Sequence, residues 1–163
     1  MGFTLVELIT AIGVLAILVS TVIAVINPLE QFNKAQDAKR KADLAQIQRA
    51  LEVYYQDYHR YPYSIQSKIS TDNTPTGVIQ WGTTWSPYMD VLPVDPSSSK
   101  RYVYWSDNTG QSYALYMALD RGSKDPQACN GGNACDNASA NGLICGGTSV
   151  PCTYGVTSPN ISP

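Results

Sequence analysis

Histidine is nearly absent from this sequence: His59 stands alone, and no cysteine precedes Cys129. A lone histidine beside Arg60 at a helix end reads as a solvent-facing or capping residue, and it excludes a multi-histidine metal centre. There is no phosphate-cradling glycine loop, no nucleophile motif and no paired Cys-x-x-Cys, so the enzyme classes built on them fall away. Lys and Arg number 11 against 13 Asp and Glu, a formal net charge of −2. With no basic excess, bulk binding to a nucleic-acid backbone is not indicated. No internal repeat is present, and 163 residues hold one modest domain.

Charge is also scarce at the start of the chain. From Phe3 to Ile26, Glu7 is the one ionisable side chain. At about 1.5 Å rise per residue a helix over this stretch is roughly 36 Å long, enough to cross a hydrocarbon core of about 30 Å. A secretory signal peptide would need a shorter apolar run and different flanks. The remainder is polar and rich in Tyr, Ser, Asn and Gly, which predicts a membrane anchor followed by a water-soluble head.

The chain divides by composition. Residues 1–2 read as a residual leader and 3–27 as a transmembrane helix. Residues 28–61 form an amphipathic helix, 62–120 a loop and antiparallel sheet, and 121–163 a Cys/Gly-rich C-terminal region. Pro28 suits a first helical turn, and Pro62 should stop the helix near Tyr61. Leu44, Ile47, Leu51, Tyr54, Tyr55 and Tyr58 recur at steps of three and four, predicting one apolar face. Ala35, Ala38, Ala42 and Ala45 make a second stripe, and Lys34, Asp37, Lys39, Arg40, Lys41 and Asp43 fill much of the rest. A short strand is possible at Val78–Trp81. Arg101–Trp105 and Ser112–Leu119 alternate as strands around the turn Asp107-Asn108-Thr109-Gly110, predicting a hairpin.

Cys129, Cys135, Cys145 and Cys152 are even in number and clustered, which points to two disulfides and an oxidising compartment. A metal site is the alternative, but no histidine is near. Of three possible pairings, Cys129–Cys135 and Cys145–Cys152 close the shortest loops and so lose the least chain entropy.

Glu7 is the most informative side chain, because a carboxylate in hydrocarbon normally needs a partner. The run Gly2-Phe3-Thr4-Leu5-Val6-Glu7-Leu8-Ile9 resembles the processing and assembly motif of type IV pilins and of the pseudopilins of type II secretion. Asp57-Tyr58-His59-Arg60-Tyr61-Pro62 is similar to the segment that ends their long helix. Leu92-Pro93-Val94-Asp95-Pro96, followed by Tyr102-Val103-Tyr104, is similar to the entry to their sheet.

The resemblance implies an α+β type IV pilin fold. A long N-terminal helix, half membrane-spanning and half amphipathic, packs on a small antiparallel β-sheet, with a disulfide-closed C-terminal loop region. It implies cleavage after Gly2 by a prepilin peptidase, N-methylation of Phe3, and Glu7 as the assembly carboxylate that pairs with the Phe3 amine of a neighbour. It also implies an assembly ATPase and a platform membrane protein as partners, and a homopolymeric helical filament as the product. The subunit would sit in the cytoplasmic membrane, C-terminus outside, before entering a surface filament. The chain is therefore expected to be structural and not an enzyme. The first reading is a major pilin, favoured by the cysteine-rich tail. The alternatives are a pseudopilin of a type II secretion system or, from another class, a filament-associated adhesin or DNA-binding minor pilin. No cofactor is expected beyond calcium, which the family often binds near the end of the sheet. Asp107, Asp120, Asp125 and Asp136 are the candidate donors, although their spacing forms no recognised loop.

Overall fold

A computed structural model describes residues 2–163. The chain forms two compact units, one running to Ala35 and the other spanning Gln36–Pro163. Helix α1 covers Leu5–Ile26 and opens at Thr4, whose hydroxyl accepts the Glu7 N–H at 3.2 Å. That is an N-cap bond, which satisfies one of the first unpaired helix donors. Within this apolar helix Thr10, Ser20 and Thr21 donate their hydroxyls to backbone carbonyls three residues back, at 2.8–3.0 Å. Their polar groups are thus satisfied without water, as a helix in hydrocarbon requires. Asn27, in left-handed geometry (φ 46°), closes α1, and Pro28 opens α2, Pro28–Tyr58.

In the second unit α2 buries Leu44, Ile47, Ala50, Leu51 and Tyr54, the three-four stripe expected of an amphipathic helix. The helix ends three residues earlier than expected. His59 takes φ +54°, a conformation that His tolerates better than most residues. Tyr58 accordingly falls off the stripe, 58% exposed.

The main sheet has the order β3-β4-β7, all antiparallel: β3 Val103–Ser106, β4 Tyr113–Met117 and β7 Tyr154–Thr157. The hairpin β3–β4 is the expected one, and Gly110 supplies the positive φ of its turn. Small hairpins lie at β1–β2 (Tyr63–Ile65, Lys68–Ser70) and β5–β6 (Ile144–Gly146, Val150–Pro151). The possible strand at Val78–Trp81 reduces to one bridge, Ser70 to Val78. A short helix α3, Asp136–Ala140, lies in the C-terminal region.

Strand β4 is buried throughout, because both faces of the sheet are covered. Tyr113, Leu115 and Met117 join Leu44, Ile47 and Leu51 of α2 in one core. Ala114 and Tyr116 join Val103, Ala118, Ala138, Cys135, Cys145 and Cys152 in a second. Alternate side chains of a strand point to opposite faces, so one strand serves both cores. The structure forms the disulfides Cys129–Cys135 and Cys145–Cys152, each with 5.0 Å between Cα atoms. The C-terminal region is therefore a cross-linked layer over the sheet.

Candidate functional site

Phe3 is 86% exposed, and Gly2, Thr4 and Glu7 are exposed as well. Leu5–Ile23 has a mean hydropathy of 2.4 with none of it buried, long and apolar enough to cross a membrane. Glu7 sits in the first turn of α1, where the helix dipole favours a negative charge. Among the described residues no side chain pairs with its carboxylate. The arrangement presents an apolar cylinder carrying one unpartnered acid near its N-terminus. Such a surface can bind other apolar surface, and its acid can bind a cation.

The four aspartates weighed as calcium donors do not converge. Asp107 is held inside its own turn by Thr109 and by the Ser112 N–H at 2.9 Å. Asp120 pairs with Arg40 at 2.6 Å and with Lys100. Asp125 pairs with Lys41 at 2.6 Å, and Asp136 accepts from Asn130 at 2.8 Å. Burial works against ionisation of Asp120 and Asp125. Hydrogen bonds from Lys100 and Arg40 to the first, and from Lys41 to the second, nevertheless hold both carboxyls below the usual range. Two of the four carboxylates are neutralised by basic side chains and the other two are held by neutral donors in their own segments, so the set does not fit a calcium ion. Among the described residues no group of three or more His, Cys, Asp or Glu side chains is placed to hold a metal ion.

Arg40, one of the charged residues that fill the helix outside its apolar and alanine stripes, is buried completely by the fold, at 0% exposure. Its Nε and Nη2 fork onto the two oxygens of Asp95 at 2.9 and 3.1 Å. Nη1 donates to Asp37 at 2.8 Å and to Asp120 at 2.6 Å, and Nη2 also donates to Gln36 at 3.3 Å. All five guanidinium hydrogens thus find acceptors, the condition for keeping such a charge inside a protein. Burial opposes the charge, but the bonds to Asp95 and Asp120 outweigh it and raise the guanidinium pKa further. Asp43, also buried, accepts from Tyr102 at 2.7 Å. The one available signal was position: Asp37, Arg40 and Asp43 lie at steps of three that run into Leu44 and Ile47. His59 is exposed at the helix end, where its carbonyl accepts from Gln111 at 3.2 Å.

The family model for type II secretion system (T2SS) protein G matches residues 27–135. The chain is similar to the type II secretion system core protein G of Pseudomonas aeruginosa, 31% identical over 71% of this chain and 80% of the relative. The protein of that name from Aeromonas hydrophila is 30% identical over 73% of this chain and 82% of its own length. The one from Escherichia coli is 31% identical over 76% of this chain and 77% of its own. No solved structure matches the chain significantly. An apolar, unburied N-terminal helix, an α+β head and relatives that align across most of both sequences agree with one another, and the chain belongs to the type II secretion system protein G family, whose members are pilin-like filament subunits.

Proposed function

We propose that the chain is a pseudopilin, the subunit of a filament that a type II secretion system builds from the membrane. The observation that carries this reading is the match of residues 27–135, which takes in α2 and the β3–β4 hairpin, to protein G of that system. The cysteine-rich tail favoured a major surface pilin when weighed alone. Three relatives of one secretion system outweigh it. The family is structural, and no enzymatic role follows from it.

In the proposed cycle α1 holds the subunit in the cytoplasmic membrane, with the head outside. A prepilin peptidase cuts after Gly2, and Phe3 becomes the N-methylated terminus. The apolar surface of α1 is solvated by lipid in the membrane and buried against neighbouring copies in the filament, so it need not meet water between the two states. Glu7 then pairs with the terminal amine of a neighbour's Phe3. A buried charge left without its partner is strongly unfavourable, and this fixes the register of each added subunit. An assembly ATPase and a platform membrane protein of the secretion machinery would drive extraction.

Deletion of the gene in its host separates the secretion reading from the surface-pilus reading. Export of secreted proteins into the medium is expected to fail while surface pili persist. Loss of pili with export intact would return the chain to the major-pilin reading.

A further inference from the structure

Three carboxylates from three separate segments meet on one buried cation that belongs to the chain itself. Asp37 comes from α2, Asp95 from the loop before β3 and Asp120 from the loop after β4. Each also holds its surroundings. Asp37 accepts the backbone N–H groups of Asp120 and Arg121 at 2.8 and 2.9 Å, and Asp95 accepts that of Ser97 at 2.8 Å. Lys100 adds a second cation to Asp120 and donates to the Ala118 carbonyl at 3.2 Å. The centre therefore ties the helix to both loops that flank the sheet.

We infer that Arg40 does for these carboxylates what a bound divalent cation does in other proteins, neutralising them and tying their segments together, so that the head fixes its loops without metal. Carboxylate oxygens gathered from distant parts of a chain are the usual donors for calcium, which needs six to eight oxygens around it. Here the same oxygens are taken by the planar fork of a guanidinium and by backbone N–H groups, and a metal ion could enter only by displacing Arg40. Lys41 does the same for Asp125 at 2.6 Å, with its ammonium also 5.1 Å from the centre of the Tyr154 ring. The inference concerns the head alone and stands apart from the secretion reading.

The test is thermal unfolding of the full chain in detergent micelles, with EDTA or with calcium chloride as the only variable, for wild type and Arg40→Ala. Wild type is expected to melt at one temperature in both. A calcium site with a Kd of about 10 μM would instead raise the Tm by about 5–10 °C at about 1 mM calcium. That rise in wild type would overturn the inference. Arg40→Ala leaves three carboxylates facing one another, and its Tm in EDTA is expected to fall by about 10–15 °C. Calcium should then recover part of the loss, because the vacated position accepts a cation. A variant that melts like wild type, or one that stays destabilised whatever the calcium concentration, would contradict the assignment. If Arg40→Ala does not fold, the pair of wild-type melts decides alone.

Discussion

Along α1 the large apolar side chains from Leu5 to Ile23 are 54–74% exposed, whereas Leu44, Ile47, Leu51 and Leu115 in the head are fully buried. The polar groups are arranged in the opposite sense. In the head a charged Arg40 is buried with every donor used, while in α1 the single acid, Glu7, stands exposed with no side-chain partner among the described residues. The head packs its apolar core and pairs its buried Arg40 from within. The α1 segment leaves an apolar surface and a charge, which the proposed function assigns to lipid and to other copies of the chain. Stability should therefore reside in the head and assembly in α1, and each region should be nearly blind to substitutions that matter in the other.

The largest contrast is expected from one deletion made in both regions. Leu115→Ala removes a side chain packed between β4 and α2, and should cost about 2–5 kcal/mol of unfolding free energy. Leu15→Ala, at a position 58% exposed, should stay within about 0.5 kcal/mol. Trp81, Trp85 and Trp105, the only three tryptophans, all lie in the head, so denaturant titration by fluorescence in micelles reports that unit. Equal losses for the two variants would show that the regions unfold as one.

A smaller effect is expected from alkali, and it too is confined to the head. Burial raises the phenol pKa values of Tyr102, Tyr104 and Tyr113, and carboxylates reinforce the first and third: Asp43 beside Tyr102 and Glu52 beside Tyr113. In the unfolded chain these phenols ionise near pH 10. Above that pH the unfolded state binds fewer protons than the folded one, so stability present below about pH 10 should be lost as pH rises. Urea melts at pH 8 and at about pH 11 check this; an unchanged midpoint would mean the three hydroxyls are not held as the packing implies.

Much of this division was legible in the residues. The apolar run Phe3–Ile26, the stripe Leu44, Ile47, Leu51 and Tyr54, and the turn ending at Gly110 are local patterns, and local patterns survive folding. Arg40 was not legible, because its partners Asp95 and Asp120 lie 55 and 80 positions away and only the folded chain brings them together. The same limit hid strand β7, which pairs with β4 across the disulfide-closed segment. Asp120 and Asp125 looked like free oxygen donors for that reason too: the cations that neutralise them sit on α2 and before β3. The choice between surface pilin and pseudopilin turned on the cysteine-rich tail, whose sequence says how the head is closed and not what the filament does.

Glu7→Ala is the smallest perturbation of the head and the most direct test of the claim that α1 is completed by copies of the chain. The substitution makes α1 more apolar, so membrane insertion and the tryptophan-detected melt of the head should match wild type. Filament yield, measured on overexpressed and sheared material at equal membrane level of subunit, should fall to a small fraction, because in the proposed assembly the neighbour's Phe3 amine is left without its partner. A filament yield equal to wild type would contradict the account, placing Glu7 among the headgroups and leaving the register of α1 to its apolar surface alone.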